Sequence, residues 1–222
     1  MTPQASHSSP HTDSRRAAPR RASRLRIMLL ATSALASAAL PAMAAPGDAT
    51  WNPGNADFNA DANWTGTPDK TTPVGIATFN ASSQQTITFS KATTLGGITV
   101  TSDAGDYAFT TNNVGLTFTG AGLSVGSGAS LTLNVNGPSI DPGGVLFEGS
   151  STAGSSKWNV GNPAAPGAHA FLQFSEGSHA DQAQITVLSG AGLSFIDSST
   201  GDHATISNNA GGTVSFDTTK SA

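Results

Sequence analysis

Short runs of alternating apolar and polar residues fill the second half of the chain, and the apolar positions return at a fixed interval. The stretch "LSFIDSSTGDHATI" contains an alternating run, a Ser/Thr/Gly/Asp corner and a second alternating run. Phe195 lies 21 residues after Phe174 and 21 before Phe216, and Ile206 lies 21 after Ile185. Alternation with a period of two predicts short β-strands. The constant interval predicts that each pair of strands is one copy of a repeat.

Each repeat places further residues at fixed offsets from its phenylalanine. An aliphatic residue stands two positions before the phenylalanine, a large apolar residue eleven after it, and a small residue two before that one. The first set is Val145, Leu172, Leu193 and Val214, the second is Trp158, Ile185 and Ile206, and the third is Ser156, Ala183 and Ala204. Phe147 and Phe174 are 27 residues apart, and the extra residues fall at "NPAAPGA", which is typical of a loop insertion.

A coil of about 21 residues with two or three short strands predicts a parallel β-solenoid. The dense Gly, Ser, Thr and Asn content and the period of two exclude helical repeats. Equivalent residues should stack about 4.8 Å apart in a narrow core. Val, Ile, Leu and Phe make up 35 of the 178 residues after Ala44, which is close to the composition of disordered chains. The fixed register argues against disorder, so we predict an all-β fold, a single-stranded parallel β-helix.

Upstream the repeat is less regular. Residues 115–135 alternate well, and their inward face would hold Leu116, Phe118, Leu123, Val125, Leu131, Leu133 and Val135. Phe89 and Val100 are eleven apart, which we interpret as an echo of the later units. Residues 45–80 differ in kind, because they hold two Trp, two Phe and four Pro. We therefore predict β-helix coils over 115–222, cut off inside a repeat, and an irregular, aromatic-rich capping region over 45–114.

The first 44 residues have the pattern of a secretory signal peptide. Six arginines lie between Arg15 and Arg26, an apolar run "IMLLATSALASAAL" follows, and "PAMA" ends at Ala44 with small residues at the cleavage positions. This apolar run is well short of the roughly 20 residues that a transmembrane anchor needs. Neither arginine pair is followed by the residues expected of a twin-arginine signal. We expect cleavage after Ala44, and therefore export.

Removal of this leader leaves an acidic protein. Residues 45–222 contain 13 Asp and Glu against four Lys and no Arg, so their formal charge is −9. Such a surface repels phosphate backbones and anionic lipids, and we expect neither nucleic-acid nor membrane-surface binding. The chain has no cysteine, so neither disulfides nor thiolate chemistry contribute. Stability has to come from packing.

Several stretches together resemble a known family. "WNPGNADFNADANWTGTPDKTTPVGIATFN", "TITF", "LGGITV", "YAFT", "LTFTGAGL" and "FIDSSTGDHATISNNAGGTVSF" are similar to the start of an autotransporter passenger, the exported part of a type V secreted protein with autotransporter-associated β-strand repeats. The most similar motifs are the Trp-rich opening, the Gly-Gly-Ile turn and Ser151-Thr152-Ala153-Gly154 after Phe147, with Ser199-Thr200-Gly201 as a partial match. The resemblance implies a right-handed parallel β-helix.

The same resemblance implies a location. Such passengers are exported to the cell surface or outer membrane, or are released outside the cell, and they end in a β-barrel translocator. This chain stops at Ala222 inside a repeat. We therefore expect a truncated passenger, which would stay in the periplasm if no barrel follows. We also expect self-association through the open last coil, because open strand edges template pairing with another chain.

Two motifs near the start of the capping region, one polar and one aromatic, are candidate binding sites. Asn55, Asp57, Asn59, Asp61 and Asn63 alternate like the ligands of a calcium loop. An EF-hand would need Gly and Glu at positions where this chain has Ala and Pro, so we favour a solvated loop over weak calcium binding. The two Trp could stack on sugars, but we favour an aromatic plug over the first coil.

The remaining ionisable residues show no converging pattern. His169, His179 and His203 lie at different offsets from their phenylalanines, which excludes a metal ladder built from coil to coil. Glu148 and Glu176 follow their phenylalanines by one and two residues, so they also lack a common register. We therefore predict no catalytic, cofactor-binding or metal-binding residue, and no cofactor.

Three function classes remain. The first is a non-enzymatic structural passenger that acts as a surface stalk or adhesin, with glycans or proteins of host or neighbouring cells as its partners. The second is a β-helical polysaccharide lyase or hydrolase, which would need clustered carboxylates and, for a lyase, an Arg or Lys base with bound calcium. The third is a carbohydrate-binding module that uses Trp51 and Trp64. Because residues 45–222 contain no Arg and no carboxylate cluster, we favour the first class and expect no enzyme.

Overall fold

The fold consists almost entirely of short strands. A computed structural model of the protein describes residues 47–66, 71–137, 144–166 and 169–217, and the predicted signal peptide, residues 1–44, lies outside these ranges. Within them the chain forms a 3₁₀ turn at Asp61–Asn63 and 15 strands. The strands are β1 Ala49–Trp51, β2 Trp64–Thr65, β3 Ile76–Phe79, β4 Thr86–Thr88, β5 Thr93–Val100, β6 Asp106–Asn112, β7 Leu116–Val125, β8 Ser130–Asn136, β9 Val145–Phe147, β10 Lys157–Val160, β11 Phe171–Phe174, β12 Gln184–Val187, β13 Gly192–Ile196, β14 Thr205–Asn208 and β15 Thr213–Asp217.

Two sheets run along the solenoid. Sheet A has nine strands in the order β15-β13-β11-β9-β7-β5-β3-β1-β2, and sheet B has six in the order β14-β12-β10-β8-β6-β4. From β3 onward the chain alternates between the sheets, so each coil adds one parallel strand to both. The coils make about seven turns. This topology confirms the predicted all-β fold and the parallel β-helix.

A column of phenylalanine rings fills the core beneath sheet A. Phe118, Phe147, Phe174, Phe195 and Phe216 pair in successive strands. Neighbouring ring centroids lie 4.7–5.0 Å apart. This separation matches the spacing of about 4.8 Å between strands, because each ring stands directly over its equivalent in the preceding coil. The predicted stack from Phe147 to Phe216 is confirmed, and it continues one coil further back.

The other inward columns also follow the predicted register. In sheet B, Trp158 pairs with Ile185 and Ile185 pairs with Ile206. In sheet A the aliphatic column is Val145, Leu172, Leu193 and Val214. The small residue two positions before each large one also faces inward. At Ser156 this position is buried, and its Oγ accepts a 2.7 Å hydrogen bond from Nε1 of Trp158, the large residue of that coil.

The insertion "NPAAPGA" leaves the core undisturbed. Its described part, residues 162–166, lies between β10 and β11. Val160 just before it still pairs with Val187, and Leu172 just after it still pairs with Val145. The extra residues therefore extend a corner without shifting either strand, as the sequence predicts.

Parallel pairing begins well before residue 115. β3 pairs with β1 and β5, and β4 pairs with β6, so coils extend through much of the predicted capping region 45–114. The irregular part is smaller. β2 turns back antiparallel on β1 and places Trp64 beside Trp51, and the rings of Phe58 and Phe79 pack against Trp64. These aromatic residues close the first end of the core.

The proposed equivalence of Phe89 and Val100 with the later Phe–Ile pairs is wrong. Phe89 comes directly after β4 in sheet B, whereas Val100 ends β5 in sheet A and pairs with Phe79. Leu95 is the residue in line with the phenylalanine column. The physical reason is that β5 and β7 are long strands whose pairing contains a register shift, so the intervals between their inward residues differ from those of the later coils.

Burial decreases at the last described coil. Phe195 is 2% exposed, whereas Phe216, which stacks on it, is 62% exposed. The residues of β14 and β15 are all exposed or half-buried. These two strands form the outer edges of sheet B and sheet A.

Candidate functional site

The corner that follows β9, β11 and β13 carries a dense set of polar side chains that bond from coil to coil. Its backbone is continuous from coil to coil, because Thr152, His179 and Thr200 form successive parallel bridges. Thr152 is also bridged to Gly122 in β7. The Ser-Thr corner that suggested a family resemblance is therefore a short third ladder between the two sheets, which we call the corner ladder.

Serine hydroxyls connect this corner to the preceding coil. Ser178 Oγ lies 3.1 Å from the carbonyl oxygen of Phe147 and 2.8 Å from that of Ser175. Ser199 Oγ lies 3.0 Å from the carbonyl oxygen of Phe174 and 2.7 Å from that of Ile196. Both hydroxyls can therefore donate either across to the preceding coil or within their own turn. The carbonyl oxygens of Phe147, Ser175 and Ile196 also accept from backbone N–H groups, so the serine hydroxyls add further bonds to a corner whose main chain is already paired.

The acidic residues of the corner occupy left-handed backbone positions. Glu176 and Asp197 have φ values of 56° and 57°, and each stands two residues after its phenylalanine, as Gly149 does with a φ of 66°. Asp181 and Asp202 have φ values of 52° and 42° and stand seven residues after it. Among non-glycine residues, Asp and Asn tolerate this conformation best. The local turn geometry thus favours Asp at three of these four positions, and Glu176 is the exception.

The carboxylates of this column bond to the coil before them. The Gly149 N–H donates to Glu176 Oε2 at 2.7 Å, and the Glu176 N–H donates to Asp197 Oδ2 at 3.4 Å. The prediction that Glu148 and Glu176 lack a common register holds for that pair, but the residue equivalent to Glu176 is Gly149. The signal that could have shown it is the constant offset of two from Phe147, Phe174 and Phe195.

A His–Thr–Asp cluster spans two coils of the corner. His179 Nδ1 lies 2.9 Å from Thr200 Oγ1 and 3.1 Å from Asp202 Oδ2, and Thr200 Oγ1 donates to Asp202 Oδ1 at 2.6 Å. A catalytic triad needs the nucleophile and the carboxylate on different nitrogens of the imidazole. Here both contact the same nitrogen, so the cluster clamps one coil to the next. Across the described ranges, no group of three or more His, Asp and Glu is placed to hold a metal ion.

The Asn/Asp segment near the amino-terminal end forms a network of structural hydrogen bonds. Asn63 is fully buried, and its Oδ1 accepts from the N–H of Gly54 at 2.7 Å while its Nδ2 donates to the carbonyl oxygen of Asp57 at 2.8 Å. Asn59 Nδ2 donates to Thr93 Oγ1 at 2.8 Å. The prediction of a solvated loop is wrong for these two asparagines. Asn59 ties the amino-terminal turn to β5 through Thr93, whereas the Asn63 side chain bonds within the amino-terminal segment.

The tryptophan pair is buried as well. Trp51 and Trp64 lie edge to face with ring centroids 5.0 Å apart. Trp64 Nε1 donates to the carbonyl oxygen of Phe58 at 2.7 Å, and Trp51 Nε1 donates to that of Gln84 at 3.4 Å. The rings form the predicted plug over the first coil. A sugar-binding platform made of these two rings is therefore excluded in this conformation, since neither face is open to solvent.

Comparisons with known proteins leave the geometry as the main guide. No protein-family model matches the chain, and neither do a curated protein or a solved structure. In the part of the chain that the structure describes, no helix has the length and apolar character that crossing a membrane requires. The proposed function therefore rests on the corner ladder and on the surface of the fold.

Proposed function

We propose that the protein is a non-enzymatic, exported β-helical passenger of the autotransporter type that acts as a surface stalk or adhesin. The observation that supports this most is how the polar groups of the corner are used. Ser178 and Ser199 can bond to carbonyls of the preceding coil, and Glu176 and Asp197 accept bonds from its amides. Bonds of this kind couple each coil to the next along the axis, which suits a rigid spacer.

A polysaccharide-degrading function has less support. A glycosidase needs two carboxyl groups on either side of the scissile bond. Glu176 and Asp197 instead stand in one column along the corner, and each is engaged in a coil-to-coil bond. A lyase would need an Arg or Lys base beside bound calcium; residues 45–222 contain four Lys and no Arg, and in the described residues no group of three or more His, Asp and Glu is placed to hold the ion. The His179 cluster has the geometry of a clamp and not of a triad.

Export is the part of the proposal that can be tested first. The full chain, with an epitope tag at its carboxyl end, would be expressed in a Gram-negative host and located by fractionation. We expect it outside the cytoplasm with a new amino terminus at Ala45. The matched control lacks residues 1–44 and should stay in the cytoplasm. Cytoplasmic retention of both forms would contradict the proposal.

The non-enzymatic part needs its own experiment. The purified protein would be incubated with neutral and acidic polysaccharides in the presence of calcium. We expect no release of reducing ends and no absorbance from unsaturated sugar products. Release that is abolished by Glu176→Gln, a change that keeps the size of the side chain, would overturn the non-enzymatic assignment and identify the corner as a catalytic site.

A further inference from the structure

A cleft of about 340 Å³ opens beside the amino-terminal turn, away from the corner ladder. Three segments form it: the residues around the 3₁₀ turn, the chain that leads into β3, and the start of β5. The lining residues are Asn59, Asp61, Thr71, Thr72, Pro73, Val74, Lys91, Ala92, Thr93 and Thr94. Its volume lies within the range of about 300–1,000 Å³ that is typical of small-molecule sites.

Hydrogen bonds fix the walls of this cleft. Asp61 Oδ1 accepts from both the N–H and the Oγ1 of Thr72 at 2.8 Å, which joins the first two segments. Asn59 Oδ1 accepts from the N–H of Lys91 at 3.2 Å, and its Nδ2 donates to Thr93 Oγ1, which joins the third. These bonds hold the three segments together and fix the Asp61 side chain before any ligand arrives, which lowers the entropic cost of binding.

The cleft presents both polar and apolar groups. Asp61, Lys91 and Thr94 are exposed there, so a carboxylate, an ammonium group and a hydroxyl are available. The hydrogen bonds from Thr72 hold the pKa of Asp61 below its ordinary value of 3.8, so this carboxyl is ionised at neutral pH. Beside them lie Pro73 and Val74, and the side chain of Val74 is 69% exposed.

We propose that this cleft binds a single neutral sugar residue of a glycan. The inference rests on the adhesin-type function proposed above, for which it names the ligand class. A sugar has hydroxyl groups around its edge and apolar C–H groups on its ring face. Asp61 can accept from two neighbouring hydroxyls, Lys91 can donate to a third oxygen, and the ring face can pack on Val74. Charge favours a neutral sugar, because Asp61 and the charge of −9 on residues 45–222 both repel an anionic one.

Affinity should be low for a single residue. A monosaccharide offers few atoms, and ordinary ligand efficiency gives a Kd on the order of 1 mM. The full chain, labelled with ¹⁵N, would be titrated with the methyl glycosides of glucose, galactose, mannose and N-acetylglucosamine. We expect at least one of them to shift the amide signals of residues 59–61, 71, 72, 74 and 91–94, with little change elsewhere.

Two cleft variants and two matched controls make the assignment specific. Asp61→Asn keeps an oxygen for Thr72 but removes the charge, and Lys91→Met removes the ammonium group. Each should weaken binding about tenfold, as expected for a lost charge-assisted hydrogen bond. Asp181→Asn on the corner and Lys157→Met on β10 make the same chemical changes outside the cleft and should leave the Kd unchanged.

Three outcomes would overturn the site: no shift with any of the four glycosides, equal weakening by cleft and control variants, or tighter binding of methyl glucuronide than of the neutral sugars. Because the titration uses purified protein, its failure would leave the export experiment intact. Failed export would equally leave the titration intact, so the two proposals fail separately.

Discussion

Replacing Phe195 by alanine tests the stacked core most directly. Its ring is 2% exposed and lies between Phe174 and Phe216, whose centroids are 5.0 and 4.8 Å away. Truncating a buried phenylalanine costs about 3–5 kcal/mol, and the cost is largest where the surroundings cannot collapse into the space. Because Phe216 is 62% exposed, its ring and water can occupy part of that space. We therefore expect Phe195→Ala to lower the free energy of unfolding by about 3 kcal/mol.

The same reasoning predicts a larger loss one coil earlier. Phe174 lies between the buried rings of Phe147 and Phe195, with centroids 4.7 and 5.0 Å away. No solvent-exposed ring borders that space, so Phe174→Ala should cost about 4–5 kcal/mol. Gln184→Ala changes an exposed residue of β12 and should stay within about 0.5 kcal/mol of the unchanged protein.

Urea denaturation, followed both by far-UV circular dichroism and by tryptophan fluorescence, measures these differences. If the two probes give the same transition and the m-value is unchanged, the shift in midpoint reports a change in stability alone. Equal losses for Phe195→Ala and Gln184→Ala would refute the stacked register. A loss for Phe195→Ala that exceeds the loss for Phe174→Ala would refute the argument from partial exposure of the last coil.

Four further predictions concern the polar groups and the outer coil. Asn63→Ala leaves the Gly54 amide without its acceptor and should cost about 3 kcal/mol in urea melts, against less than about 0.5 for exposed Asn52→Ala. Asp202→Ala should cost about 1–2 kcal/mol and Asp202→Asn less than half of that, because Asn keeps an acceptor and tolerates the φ of 42°; equal costs would contradict this. Thr72→Val removes one of the bonds that lower the pKa of Asp61, so this pKa should rise toward 3.8 in a carboxyl NMR titration. The stability linked to this group is present above pH 3.8 and is lost as the pH falls through the lowered folded pKa, and the variant should lose it at a higher pH. Amide hydrogen exchange should be faster in β14 and β15 than in β10 and β11, since the outer strands are exposed; uniform protection would contradict it.

Much of the fold could be predicted because the repeat is encoded residue by residue. The alternation of apolar and polar residues along a strand specifies which side chains face inward. The constant interval between phenylalanines specifies which side chains meet in the next coil. Phe174, Phe195 and Phe216 pair as their spacing predicts, and the insertion after β10 shifts nothing because it lies in a corner. The aromatic plug could also be predicted, since a narrow core must be closed at its first end.

The register of the early coils required the tertiary structure. β5 and β7 are long strands that carry a register shift, and Leu95 aligns with the phenylalanine column although its side chain differs from the others. Phe89 and Val100 are eleven residues apart, as in the later Phe–Ile pairs, but they do not occupy the equivalent positions of a coil. Where strand length varies from coil to coil, the number of residues between two apolar positions no longer identifies the sheet to which they belong.

What the sequence by itself determined is the parallel β-helix and its inward columns, because periodic burial of apolar side chains is a local property of each coil. What only the tertiary structure decided is the role of the polar residues. Asn59 meets Thr93 across 34 positions, and Glu176 meets Gly149 across 27. A hydrogen bond forms only when two such groups are placed to within a few tenths of an ångström, and here left-handed turns help to place the backbone. Hydrophobic contact is non-directional and tolerates the approximations of a pattern, whereas these bonds exist only once the coils are packed.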